Sequence, residues 1–265
     1  MRCKMEKQRN TIEFKLYGHD ALFSDPITRV GGEKFSYQIP TYQALVGIAE
    51  SIYWKPTLIW IIDAVRVMKK IQTESKGIKT LQMDGIYPSK KDPKKKEAAI
   101  TDLSYYTYLR DVEYQVLAHF EWNQYRKDLE ADRNENKHHN VARRCVTNGG
   151  RRDIFLGTRE CQGYVEPCTF GSGTGFYDDY GELGFGTMFH GFAYPSNTGN
   201  NDFVKRLWRD AKMVNGVIEF PRPESTALLK QQLRPMEAKR FVVNQNFTFL
   251  ENDLSITSLL EEVEA

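Results

Sequence analysis

Three patterns predict an α+β fold. Apolar residues alternate at Ile12, Phe14 and Leu16, an apolar stripe repeats at helical spacing from Leu45 to Ile52, and a second helical segment lies between Asp132 and Gly149. With the strand-like stretches between and after them, the order is β-α-β-β-α-β. This is the split βαβ arrangement of ferredoxin-like (RRM-like) domains, here followed by a smaller β-rich C-terminal extension.

Each element has its own signal. Over residues 12–18, Glu13 and Lys15 alternate with the apolar positions, the period of a half-buried strand. A turn-rich stretch, 25–37, holds Pro26, Gly31 and Gly32 and leads to Pro40, where the first helix begins. Leu45, Ile48, Ala49 and Ile52 fall at i, i+3, i+4 and i+7, and Pro56 stops the helix near Trp54. Residues 57–68 alternate only imperfectly but are rich in Ile, Val and Trp, as in a largely buried strand. Gly85, Pro88, Pro93 and five lysines (Lys90, Lys91, Lys94, Lys95, Lys96) mark 77–102 as a loop or hairpin tip, either a solvated surface or an arm that contacts nucleic acid. Residues 105–122, dense in Tyr, Val and Phe, continue as a long strand or hairpin.

The second helix has Asp132 and Asn134 as cap candidates and Gly149-Gly150 as its stop. Residues 159–168 supply the fourth strand. After Phe170 glycines and aromatics alternate densely, as in short strands and tight turns. Domain limits of 1–170, 171–224 and an unassigned tail 225–265 follow. The GSGTG word at 171–175 lacks the Lys-Ser/Thr ending and the strand-to-helix context of a phosphate loop.

The 265 residues carry 40% hydrophobic and 27% charged side chains, enough for a folded core, and a net charge of +2. So small an excess of positive charge says little about partners; its distribution says more. Basic clusters at 90–96 and at Arg143, Arg144, Arg151 and Arg152 are offset by Glu261, Glu262 and Glu264. No apolar run reaches the roughly 18 residues of a membrane span, and the polar start lacks a signal-peptide core, so a cytoplasmic protein with no membrane partner is expected. Cys3, Cys145, Cys161 and Cys168 show no metal spacing and read as reduced thiols.

One segment could do chemistry. RNA can be cut without metal if a base takes the proton of a 2′-hydroxyl and a cation stabilises the charge that builds on phosphorus. Lys137 and His138 stand side by side at a helix start, where backbone amides also attract phosphate. A polar helix face explains the Lys-His-His triplet equally simply, and which imidazole, His138 or His139, points into a site stays open. Neighbouring histidines project in different directions, so no metal is expected. Tyr53, on the margin of the first helix's stripe, is either core or aimed at a ligand, while Trp54 and Lys55 suit packing and phosphate contact. Tyr105, Tyr106 and Tyr108 serve base stacking or cross-strand packing. Arg151 and Arg152 suit phosphate contact or an ion pair with Asp153 or Glu160. His119, between Ala118 and Phe120, reads as a hydrogen-bonded structural residue.

Several words together, GHDALFSDP, ESIYWKPT, DVEYQVLAHFEWN, DRNENKHH, GGRRDIFLGTRECQGYVEPC and GTMFHGFAYP, resemble one family. They are similar to the subtype-d Cas-five proteins of type I-C CRISPR systems, members of the RAMP superfamily, over residues 12–224. The resemblance implies a ferredoxin-like RAMP domain with a β-rich extension. It implies an endoribonuclease that cuts precursor CRISPR RNA at the 3′ base of the repeat hairpin by 2′-hydroxyl attack, with no metal or other cofactor. Products would be a 2′,3′-cyclic phosphate and a 5′-hydroxyl, with the 5′ handle retained in a surveillance complex beside backbone and large-subunit proteins. By motif it places catalytic roles on Tyr53, Lys137 and His138, while Lys55, Arg143, Arg144, Arg151 and Arg152 are candidates for RNA binding. The alternative is a handle-binding subunit that does not cut. The lysine-rich stretch 81–99 looks like an enlargement relative to the family.

Overall fold

A computed structural model describes residues 8–25, 33–81 and 101–253 of the chain. The lysine cluster at 90–96, Cys3, and the acidic residues at 261–264 lie outside the described residues.

The chain forms β1 (Ile12–Ala21), β2 (Lys34–Phe35), α1 (Tyr42–Ile52), β3 (Leu58–Val67), β4 (Thr73–Leu81), β5 (Thr101–Trp122), α2 (Glu135–Thr147), β6 (Ile154–Phe155) and β7 (Gln162–Pro167). There follow β8 (Glu182–Ala193), the single turn α3 (Pro195–Thr198), β9 (Asp202–Val214), β10 (Val217–Glu219) and β11 (Leu228–Pro235). Sheet order is β11-β9-β10-β3-β5-β1-β7-β6, with β4 and β2 paired to β5 and β8 to β9. Pairing is antiparallel except between β2 and β5.

The 22 residues of β5 organise the sheet. Its distal half pairs with β1 and β3, and its proximal half with β4. The 77–102 segment therefore needs a correction, because Gly77 to Leu81 are strand rather than loop, Gly77 lying opposite Tyr105. A long neighbour offers a continuous row of backbone partners, which outweighs the local cost of a strand glycine. The imperfect alternation in β3 also has a cause: its register with β5 shifts between Ile62 and Ala64. The bulged Asp63 accepts from His119 Nδ1 at 2.8 Å, so His119 is the structural histidine the sequence suggested.

The core lies between sheet and helices. Phe14 and Leu16 of β1, Leu45, Ile48 and Ile52 of α1, and Val141, Ala142 and Cys145 of α2 are buried together. Thr41 Oγ1 caps α1 by accepting from Ala44 N, and Asn134 Oδ1 caps α2 by accepting from Lys137 N. At the far end of α2, Gly149 (φ +78°) and Gly150 (φ +103°) return their amides to Val146 and Cys145. The same turn sends Arg151 N to Ile52 O and Arg152 N to Ser51 O, tying α2's exit to α1's last turn.

Strands after Phe170 join the main sheet through β10, whose Ile218 lies opposite Val65 of β3. β11 falls in the tail left unassigned by sequence. The GSGTG loop wraps a cation: Ser172 O and Gly173 O accept from the Arg66 guanidinium, which also grips Asp178 at 2.7 Å. Carbonyls facing inward are the reverse of a phosphate cradle, whose amides face inward.

Candidate active site

Tyr53 ends α1 as its C-cap, in extended geometry (φ −155°, ψ 129°), because Pro56 denies the helix another turn. Trp60 Nε1 donates to the Tyr53 carbonyl at 2.8 Å and holds that corner against β3. His138 sits in the first turn of α2, directed inward while Lys137 points outward. Their elements bring residues 85 positions apart into contact, with Tyr53 Oη 2.7 Å from His138 Nδ1.

The hydrogen-bond network fixes the tautomer. His138 Nε2 lies 2.7 Å from the Asp132 carbonyl, which can only accept, so Nε2 carries the proton. On the neutral ring Nδ1 then holds the lone pair and the Tyr53 hydroxyl donates to it. Both residues have 0% exposure. Burial, chiefly, with the Lys55 charge as a minor contributor, holds the His138 pKa below 6.5 against the opposing pull of Asp132. The rings of Trp122, Phe120 and Tyr53, at 5.6, 6.3 and 5.9 Å, form the apolar wall responsible. Burial likewise pushes the Tyr53 phenol well above its ordinary value, so it stays a donor.

Two lysines flank this pair. Lys137 Nζ is 2.5 Å from Glu251 Oε1, and Lys55 Nζ is 2.5 Å from Asp253 Oδ2 and 2.9 Å from Thr248 O. Asp132 is buried behind them, accepting from Thr57 Oγ1 at 2.7 Å and from Leu250 N at 2.8 Å. Tyr53, Lys55, Lys137 and His138 thus share one neighbourhood. Arg143 and Arg144 lie apart, in a groove between α2 and the start of β1 and end of β7, with His139, Thr11 and Cys168. His139 Nε2 is 3.1 Å from Thr11 O, so it faces that groove rather than Tyr53. Arg151 and Arg152 are exposed beside α1's last turn. Of the three tyrosines, Tyr106 and Tyr108 are buried and only Tyr105 is exposed. Among the described residues no three His, Cys, Asp or Glu side chains gather as a metal site, and no helix is long and apolar enough to cross a membrane.

Residues 11–221 match the protein family described as CRISPR-associated protein (Cas_Cas5), of the Cas5d type. The chain belongs to the Cas5d family. That span coincides with the 12–224 resemblance read from the motifs. A curated relative, the CRISPR pre-crRNA endoribonuclease Cas5d of Mannheimia succiniciproducens, is 30% identical over 126 residues, which cover 42% of this chain and 52% of that protein. The alignment therefore spans about half the length of that relative. A crystal structure of a CRISPR-associated protein is 34% identical with a TM-score of 0.65, covering 86% of this chain and 100% of the other. A functionally uncharacterized protein from Streptococcus mutans is 35% identical with a TM-score of 0.64, covering 83% and 96%. The mixed, mostly antiparallel architecture is common to these Cas5d-like structures.

Sequence reasoning missed the carboxylate partners. Glu251 and Asp253 lie 114 and 198 positions from their lysines and carry no local motif. Asp132 was read only as a cap candidate, although Asn134 is the cap and Asp132 is the buried acceptor that links His138, Thr57 and Leu250. A carboxylate six residues before a histidine, ahead of a helix start, was the available signal.

Proposed function

We propose that this Cas5d-family chain is a metal-independent endoribonuclease that cuts precursor CRISPR RNA at the 3′ base of its repeat hairpin. The single observation that carries this reading is the 2.7 Å contact between Tyr53 and the lone-pair nitrogen of His138, one residue from Lys137. His138 is the general base: Tyr53 passes its hydrogen bond from Nδ1 to the incoming 2′-hydroxyl, and the freed Nδ1 lone pair takes that hydroxyl's proton. The 2′-oxygen bonds to phosphorus, the P–O5′ bond breaks, and the leaving 5′-oxygen picks up a proton. Lys137 stabilises the charge on the phosphorane oxygens, and Tyr53 orients the 2′-hydroxyl. No cofactor is part of the scheme. Lys55, Arg143, Arg144, Arg151 and Arg152 contact RNA phosphates.

The ferredoxin-like assignment belongs to the same reading. Strand order β7-β1-β5-β3, with α1 between β1 and β3 and α2 between β5 and β7, supports it for residues 1–170, with 171–224 as the β-rich part. After cutting, the protein keeps the 5′ handle as a subunit of the type I-C surveillance complex, beside backbone and large-subunit proteins. The Mannheimia relative, a CRISPR pre-crRNA endoribonuclease, supports the precursor-RNA substrate.

A second reading, a handle-binding subunit that does not cut, draws on one observation: Tyr53 and His138 are completely buried. The deciding experiment incubates the purified protein with the repeat RNA of its own locus in EDTA and maps the ends. Cleavage to a 2′,3′-cyclic phosphate and a 5′-hydroxyl, blocked by a 2′-deoxy substitution at the cut site, is expected. Tight binding without cleavage removes the enzyme reading, and activity that disappears on chelation removes the metal-independent one.

A further inference from the structure

The segment 241–253 follows the part of the chain matched to the family and runs back across the candidate site. It is anchored at several points. The Phe241 ring lies against Trp54 at 5.7 Å and its carbonyl accepts from Arg126 at 3.1 Å. Phe247 lies 5.4 Å below Lys55 Nζ, Leu250 is buried, and Leu250 N donates to Asp132. The remaining contacts are ionic. Glu251 meets Lys137 and Asp253 meets Lys55, so each lysine that flanks the Tyr53–His138 pair holds a carboxylate from one short stretch of chain.

Hydrophobic anchoring explains Phe247 and Leu250, but it does not call for a carboxylate on Lys137. That side chain is 43% exposed and Glu251 is 69% exposed, so water would solvate both at little cost. Lys55 differs, being only 6% exposed, and its ammonium needs an anionic partner. To an ammonium, a carboxylate and a phosphodiester are equivalent: each offers anionic oxygens at hydrogen-bond distance. A segment whose own structure is one 3-10 turn, Leu250–Asn252, and an isolated bridge, Val243 to Phe247, is weakly held by backbone.

We infer that residues 247–253 form an anionic strap in which Glu251 and Asp253 stand on Lys137 and Lys55 where two RNA phosphates bind, so that RNA must displace the strap to reach Tyr53 and His138. This inference rests on the reading of the site as one that binds and cuts RNA. It accounts for a feature that sits badly with an open active site: neutralisation of the cation beside the base. RNA supplies the exchange. Its phosphates replace the carboxylates on both lysines, while the freed Glu251 and Asp253 gain solvent.

The test compares the full chain with its Glu251→Gln/Asp253→Asn double variant in EDTA. Repeat RNA serves for cleavage, and the same RNA with a 2′-deoxy substitution at the mapped cut site serves for binding. The amide side chains keep shape and lose charge, so half-saturation by RNA should fall about three- to tenfold with the maximal cleavage rate unchanged. In the wild-type chain, hydrogen exchange at the Leu250 and Asp253 amides should speed up when the 2′-deoxy RNA binds; this readout involves no substitution and is immune to misfolding of the variant. Cleavage with an unchanged or higher half-saturation in a folded variant, or amides that exchange no faster with RNA bound, overturns the strap alone. Failure of both proteins to bind or cut RNA overturns the functional reading and the strap with it.

Discussion

At the scale of single residues, the proposed function turns on one hydrogen bond in an apolar box. Replacing His138 by Ala should lower the cleavage rate by about 10²- to 10⁴-fold, the usual value of a positioned base. Hairpin affinity, which the proposal assigns to phosphate contacts elsewhere, should stay within about twofold when measured by titration with 2′-deoxy RNA. The same change leaves the Tyr53 hydroxyl buried without its acceptor, a cost of about 1–3 kcal/mol visible as a lower melting temperature. Tyr53→Phe makes the complementary test: Nδ1 loses its donor, the ring keeps its packing, and the rate should fall with little change in half-saturation. Rate and affinity falling together in both variants would point to a packing role instead. Tyr53, Lys137 and His138 were legible as a group because they lie in recognisable words, IYWKP and NENKHH. The burial of Tyr53 and His138 was not, since for His138 it depends on Phe120 and Trp122, rings that reach it only once β5 and α2 are packed together.

At the scale of elements, α2 does two things: it packs Val141, Ala142 and Cys145 on the sheet and presents Lys137 and His138 from its first turn. That turn is held by the Asn134 cap, whose side chain accepts directly from the Lys137 amide at 3.2 Å. Asn134→Ala should therefore cost about 0.5–2 kcal/mol by chemical denaturation, and it should slow cleavage more than a surface Asn→Ala change elsewhere, because the frayed turn carries the proposed catalytic pair. A variant that loses stability but cleaves at the wild-type rate would separate the cap from the site. Both helices and their stops were readable from Pro40, Asn134, Pro56 and Gly149-Gly150, all local signals. β4 was not, because its pairing with β5 is a tertiary choice that overrides Gly77, and the bulge at Asp63 blurred the alternation of β3. The glycine-rich word at 171–175 is excluded as a phosphate loop by its sequence, and the structure agrees. Its local shape suggests an anion, while the partner it meets in space is Arg66.

At the scale of the whole molecule, buried histidines couple the fold to pH. His190 is stacked on Tyr42 at 4.1 Å and lies 3.0 Å from the Pro221 carbonyl, and burial, with the nearby Arg206 charge, pushes its pKa down from 6.5 to about 3. His138 is depressed as well, mainly by burial. For a base whose folded pKa is below its unfolded one, the unfolded chain binds the extra proton, so stability is intact above pH 6.5 and declines as the pH falls from there toward 3. Melting temperature measured across that window should fall steadily on acidification. His190→Phe retains the ring stack and removes the titrating group, so its curve should be flatter over the same window, although the lost bond to Pro221 lowers stability at neutral pH. A His190→Phe curve parallel to wild type would show that the acid sensitivity arises in other groups, such as carboxylates losing their partners. The sites are separate, His190 on β8 against Tyr42 at the start of α1 and His138 on α2 against Tyr53 at the end of α1, so the two contributions should add. A double substitution that also replaces His138 should then remove more of the slope than either change alone.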